Sequence, residues 1–398
     1  MFSMKNKLDY NLKISINKKY YKYYRVIIHC KSIPESIEKK ITSYKGTIIH
    51  FIPIINCICA LLSPSALERI LEFPQVDYVT LDSFAVLCGK SIFSSNGIAI
   101  QDKYKLTGKN VGIGLIDSGV YPHPDILNPR NKIKFFLDLI NGYKYPYDDN
   151  GHGTFMTGIL CGSGYLSKGS YRGVAQNSSI YCIKAFNSIG KAFISDILFS
   201  IQTLINERVE YNLKVICLPF ELTYNSHFDM SLFAGLFDIA VKHNLTIVVP
   251  AGHNGNFEGS IGGIATLNNC ITVGGVDTTS NPIKPYIYSS SGPFNTIEKP
   301  DLSAAAVNIY SINSNKNYVS EKNGMKVYPE TLDIPYTNYS GTSCAAAYIS
   351  GICALLYENN PDLSFKDLLS LLKVSSKLKE LPKRIQGAGL LDIDKLLS

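Results

Sequence analysis

No Cys-x-x-Cys pair occurs in the 398 residues, although the chain has ten cysteines. Most sit inside apolar stretches, as Cys182 does in SIYCIKAF and Cys217 in KVICLPF. The closest pair, Cys57 and Cys59, falls on one face of a strand if the segment is extended. This usage argues against a zinc ribbon or a disulfide framework and leads us to expect reduced, buried thiols in a cytoplasmic protein. No apolar run reaches the ~18 residues of a membrane-spanning helix. The longest, IIHFIPIINCICALL (residues 48–62), is interrupted by His50, Pro53 and Asn56. The opening residues also lack the roughly 7–15-residue apolar core of a secretory signal. Nor is there a long block of one charge. Charged residues make up 18% of the chain and hydrophobic ones 45%, a globular composition rather than a disordered one.

The net charge of +7 is unevenly placed. Residues 1–50 carry 11 lysines and arginines against 3 acidic residues, whereas residues 101–398 are almost balanced. The lysines of the first segment alternate with tyrosines and isoleucines. We read them as the solvated face of a small domain and expect no nucleic-acid partner.

What is present falls into two patterns. Between residues 20 and 90, strand-like YYRVIIHC (23–30) precedes an amphipathic helix over 32–44 with Ile33, Ile37 and Ile41 at helical spacing. One or two strands at 48–62, a helix from Ser63 to Pro74 and a strand at 76–81 follow. The order β-α-β-β-α-β predicts a small α+β unit of the split-βαβ, ferredoxin-like kind. From residue 110, continuous apolar strands (VGIGLID, SIYCIKAF, KVICLPF, TIVVPAG, CITVGGV) alternate with helices at 196–211 and 231–244. That predicts an α/β architecture, a mostly parallel sheet with helices on both faces. The division expected is 1–90 for the small domain, 91–104 for a linker and 105–398 for the large domain. In such sheets, sites lie beyond the carboxyl ends of the strands.

Polar residues collect at those ends. Asp117 closes VGIGLID, His152 stands between glycines in DDNGHGTFMTGIL, and Ser343 precedes an alanine run in YSGTSCAAAYISG. Alone, Asp117 reads as a turn residue, His152 as a cap or ligand, and Ser343 as an N-cap. Together they are a carboxylate, a base and a hydroxyl, which are the groups that acyl transfer by serine requires.

Their order, Asp…His…Ser, is the subtilisin order and not that of the α/β-hydrolases. The segments VGIGLIDSGVYPHPDI, NGHGTFMTGILCG, YRGVAQNSSIYCIKAF, SSSGPFNTIEKPDL and YSGTSCAAAYISGICALL resemble the subtilisin-like serine peptidases across residues 105–398. The resemblance implies an endopeptidase made as a zymogen that acts on protein or peptide substrates. It assigns Asp117 as the orienting carboxylate, His152 as general base then acid, and Ser343 as nucleophile. It also implies that residues 1–90 are an inhibitory propeptide, an intramolecular partner released by cleavage somewhere in 85–105.

The sequence departs from the family pattern in several places. The oxyanion asparagine that usually follows Ala-Gly is replaced in VVPAGHNGN, where His253 stands in its place and Asn254 follows. The peptide-binding strand, usually Ser-Leu-Gly-Gly, reads Pro219-Phe220-Glu221-Leu222. With Gly252 these four are the expected substrate-binding residues, in a narrower cleft where Glu221 favours a basic substrate residue or is merely solvated. The polar segment 313–338 is expected to be a loop beside the site. The chemistry calls for no cofactor. Structural calcium fits the family, but CGSGYLSKGSYRGVA after His152 has few carboxylates to hold it. These departures also motivate a rival reading, a catalytically impaired binding or regulatory protein.

Overall fold

The computed structural model describes residues 7–32, 35–87, 105–222, 226–293 and 296–397. The expected linker at 91–104 lies outside the described residues, as does most of the 85–105 window for maturation.

The N-terminal unit begins with α1 (Tyr10–Asn17), capped by Asp9, whose side chain accepts from Asn11 and Leu12 N–H. It continues with β1 (Tyr24–Cys30), α2 (Glu35–Ser43), β2 (Thr47–Ile52), β3 (Cys57–Leu62), α3 (Pro64–Leu71) and β4 (Val76–Leu81). The Ser63 hydroxyl caps α3, and Pro64 takes the first helical position, where no N–H is missed. The strands form one antiparallel sheet in the order β2-β3-β1-β4. This is the split-βαβ arrangement expected. Alternation along β1 divides its side chains between two cores. Val26 and Ile28 pack with Ile37, Ile41, Leu67 and Ile70 of the unit's own helices. Ile27 faces the other way and joins the core of the large unit with Ile52, Cys57 and Cys59.

After the short β5 (Phe84–Leu87), the large unit is built on a parallel sheet. Its strands are β6 (Gly112–Asp117), β7 (Ile133–Asp138), β8 (Ser179–Lys184), β10 (Leu213–Cys217), β12 (Thr246–Pro250), β13 (Ile271–Asp277) and β14 (Leu302–Ala305). The spatial order is β14-β13-β12-β10-β6-β8-β7, all parallel to their neighbours. Helices cover both faces, which explains why the inner strands are apolar along most of their length. Ile113, Leu115 and Val215 face α4 (His152–Cys161), α7 (Thr342–Asn359) and α8 (Phe365–Val374). Ile116, Ile216 and Ile247 face α5 (Ile194–Glu207) and α6 (His227–Lys242).

Two short strands, β9 (Lys191–Phe193) and β11 (Phe220–Leu222), flank β5 in a separate sheet of order β11-β5-β9. Ala85 is opposite both Leu222 and Ala192, and Leu87 is opposite Phe220, all antiparallel. The N-terminal unit thus ends in a strand threaded between two strands of the large one.

Ionic contacts reinforce that docking. The N-cap of α5, Phe193, offers no capping side chain. Asp82 of the N-terminal unit supplies the cap instead, accepting the Ser195 N–H at 2.7 Å. Arg25 bonds Asp82 Oδ2 at 2.6 Å and Ser195 Oγ at 2.6 Å, and stacks over the Phe193 ring at 4.0 Å. His50 Nε2 lies 2.6 Å from Asp196 Oδ1.

Candidate active site

Three strand ends converge where the sequence places its unusual residues. Asp117 is the last residue of β6, Pro219 follows the end of β10, and Gly252 follows the end of β12. The helices α4 and α7 pack against one another and carry His152 and Ser343 in their first turns.

Asp117 and His152 are paired. His152 Nδ1 lies 2.9 Å from both carboxylate oxygens, and both residues are buried. The approach is possible because α4 starts tightly against the β6 loop. A Cβ on Gly153 would stand 2.1 Å from the Gly119 carbonyl oxygen and 3.1 Å from Asp117 Cβ. The glycine after His152 is therefore a spacing requirement. The Ser118 N–H donates to Asp117 Oδ1 at 2.6 Å. Burial pushes the Asp117 carboxyl above its usual range, against the opposing pull of His152 and the Ser118 N–H. A carboxylate on Nδ1 fixes the tautomer that leaves Nε2 as an acceptor. Nε2 is buried and has no hydrogen-bond partner among the described residues.

The loop carrying Asp117 is itself braced from below. The fully buried Lys184 donates to Ser118 O at 2.6 Å and to Asp149 Oδ1 at 2.6 Å. Asp148 accepts from Ser118 Oγ, from the Gly151 N–H and from Thr154. The sequence reading passed over Lys184 and Asp148. Asp148 adjoins the GHG motif, which is a usable signal, but nothing local marks Lys184 as turning inward.

Ser343 is fully buried at the start of α7, and its Oγ donates to Pro219 O at 2.8 Å. Ala345, Ala346 and Ala347 are buried without exposure, so small side chains let α7 lie close to the sheet. Tyr339, just upstream, meets the His152 ring edge-on at 5.4 Å. Thr342 Oγ1 donates to Gly252 O at 3.2 Å and ties the helix start to the turn after β12.

In that turn, the His253 ring stacks on Tyr288 at 4.7 Å and lies 5.9 Å from Tyr286, whose hydroxyl reaches Ser340 O. Asn254 is engaged within its own loop, its side chain donating to Ser260 O at 3.4 Å and its N–H to Ser290 Oγ at 2.8 Å. Phe220 and Leu222 point into the core, while Glu221 lies on the opposite side of β11, half-buried, and accepts the His253 N–H at 2.9 Å. The segment 313–338 borders the site as expected. A Cβ on Gly151, beside His152, would stand 2.9 Å from Ser314 Oγ and 3.1 Å from Lys316 Cε.

Among the described residues, no group of three or more His, Cys, Asp or Glu side chains could hold a metal ion. Asp125, below the site, accepts from Leu166 N–H and Tyr336 OH. The buried Lys132 ammonium donates to Asp125 O and Cys161 O there.

A buried Asp–His pair, a serine opening a neighbouring helix, and an extended strand alongside agree with what comparison with known proteins shows. The model of the subtilase family, Peptidase_S8, matches residues 108–389. The chain belongs to the subtilase family. It is 31% identical over 351 residues to the serine protease AprX of Bacillus subtilis, a match covering 84% of this chain and 77% of that one. It is 27% identical over 291 residues to subtilisin DY of Bacillus licheniformis, covering 72% of this chain and 90% of that protein. Among solved structures, fervidolysin from Fervidobacterium pennivorans, a keratinolytic enzyme related to subtilisin, matches with a TM-score of 0.74 at 18% identity. That likeness covers 95% of this chain and 61% of the fervidolysin chain, and it establishes the fold. Family membership makes this subtilase a serine endopeptidase. Among the described residues, no helix is long and apolar enough to cross a membrane.

Proposed function

We propose that Asp117, His152 and Ser343 are the hydrolytic triad, and that the chain is a zymogen whose N-terminal unit inhibits it. The observation carrying the first part is the buried Asp117–His152 pair, whose Nε2 has no partner among the described residues, beside the helix that Ser343 opens. In the reaction, Ser343 turns from Pro219 O to His152, which takes the hydroxyl proton as Oγ adds to the substrate carbonyl carbon. The imidazolium, held by Asp117, then gives that proton to the departing amine as the C–N bond breaks. Water repeats the sequence on the acyl-enzyme and restores Ser343. The backbone N–H groups at the α7 N-terminus face the developing oxyanion. His253 and Asn254 are the candidate side-chain donors, the Asn254 amide spending one of its two N–H groups on Ser260 O at 3.4 Å. The chemistry needs no cofactor.

The zymogen reading is supported by β5, which occupies an extended groove between β11 and β9 as a bound peptide would, by main-chain pairing. Protein or peptide substrates would bind Pro219, Phe220, Glu221 and Gly252 in the same way once it leaves. Cleavage is then expected within a few residues of Leu87, where β5 ends. We also assign the enzyme to a reducing, cytoplasmic setting, on the strength of nine described cysteines that are buried and unbridged.

Intact-mass analysis of the wild type beside Ser343→Ala tests both parts. The expected result is a wild type that splits shortly after residue 87 and a mutant that stays whole. Equal processing of the two would remove Ser343 from the chemistry. A wild type that stays whole but takes a serine-directed probe would refute self-cleavage alone.

A further inference from the structure

The groove carries a charge that the proposed reaction leaves unused. Ser343 Oγ reaches Pro219 O, so the reacting end of the groove lies at Pro219, and Glu221 stands two residues along. Its side chain leans toward the turn after β12, where Oε2 accepts the His253 N–H at 2.9 Å. A Cβ on Gly252 would sit 2.8 Å from that same oxygen, and Gly252 has φ +105°, so this residue is glycine for conformation and for space. Thr342 holds the other side of Gly252 by its carbonyl. The carboxylate therefore lines a crevice between β11 and the turn, next to the residue that precedes the nucleophile. In the register of β5, Val86 is opposite Glu221, so a peptide bound in that register puts the residue opposite Pro219, two positions further along, on the same face as the Glu221 side chain.

Glu221 has an N–H on one oxygen and, among the described residues, no cation on either. The strand that fills the groove, Phe84-Ala85-Val86-Leu87, supplies none. Burial pushes the carboxyl above its usual range, with the His253 N–H opposing. A half-buried carboxylate without a counter-charge is stabilised by whichever ligand brings one. Two uses of the space are open to a carboxylate, blocking it or attracting a cation. Partial exposure and the unshared second oxygen favour attraction.

We infer that Glu221 makes this enzyme select lysine or arginine at the residue whose carbonyl is attacked. The inference rests on Ser343 being the nucleophile.

The test is a matched peptide series differing only at that residue, with arginine, lysine, citrulline, alanine, leucine or phenylalanine, compared by kcat/KM. The processed wild type is expected to favour arginine and lysine over citrulline and the apolar residues by tenfold or more. Glu221→Gln keeps the size and the hydrogen bond to His253, so it is expected to level that preference, read within the variant as the ratio of kcat/KM for arginine over citrulline. Equal or faster turnover of the neutral peptides by the wild type, or a basic preference that survives in Glu221→Gln, would overturn the inference with the peptidase reading intact. No turnover of any peptide, together with no probe labelling at Ser343, would overturn both.

Discussion

Asp117 carries more of the proposed site than its position in the sequence suggests. It is buried, its burial disfavours its own charge, and it is held in the charged form by His152 and the Ser118 N–H. Replacing it with asparagine keeps the shape but reverses the hydrogen bond that sets the His152 tautomer. Asp117→Asn is expected to lower kcat by roughly 10⁴-fold with little change in KM. Steady-state kinetics on a peptide substrate would check this, and a variant within tenfold of wild type would refute the orienting role. At this scale, Asp117, His152 and Ser343 stood out in the sequence as the proposed triad because a chemistry demands all three residue types together, and the structure pairs the first two. The support beneath them did not stand out. Lys184 is one lysine among many until the fold buries its ammonium under Ser118 O. The fate of Asn254 was equally hidden, since its partner Ser260 is fixed by how the loop closes.

Among the elements, α6 shows how the two units are coupled through titration. Asp229, in its first turn, is fully buried, and neither carboxylate oxygen has a hydrogen-bond partner among the described residues. The adjacent Phe228 packs on Tyr78 and His29 of the N-terminal unit. Burial chiefly pushes the Asp229 carboxyl up to about 6, and the charges of Asp9 and Asp82 add to the rise. The neutral form therefore favours the folded state. Its contribution is complete below the ordinary carboxylate pKa near 3.8 and is lost as pH rises through about 6. Asp229→Asn is expected to stabilise the intact chain by up to about 3 kcal/mol near pH 8 and to change little near pH 4. Thermal unfolding at the two pH values measures this. A variant equally destabilised at both would show that Asp229 is not held neutral.

The elements also divide into those that patterning reveals and those it does not. The buried parallel strands were legible as apolar runs, and α5 and α6 as helical periodicity. Missed were α1, whose YNLKISIN mixes polar and β-branched residues, and β7, an edge strand whose middle residues are only partly covered. β5 was also missed. Four residues give too short a pattern, and its partners β9 and β11 are brought beside it only by the tertiary fold.

For the whole molecule, the N-terminal unit is both an independent core and a lid on the large unit. One face of its sheet packs on its own helices and the other on α5 and α6. Asp82 caps a helix of the large unit, and β5 fills the groove. On the zymogen reading proposed above, the segment that would block the site also completes the structure around it, so inhibition and assistance in folding would share one set of contacts. Removing it exposes the α5 N-terminus and the groove together.

The central claim is that Ser343 is an activated nucleophile, and labelling with a fluorophosphonate tests it most directly. The purified full chain and its processed form would each be treated and the modified peptide mapped. The expected result is an adduct on Ser343 that forms quickly in the processed form, slowly in the full chain where β5 fills the groove, and not in His152→Ala. A processed form that takes no label at Ser343, or labels equally well without His152, would contradict it.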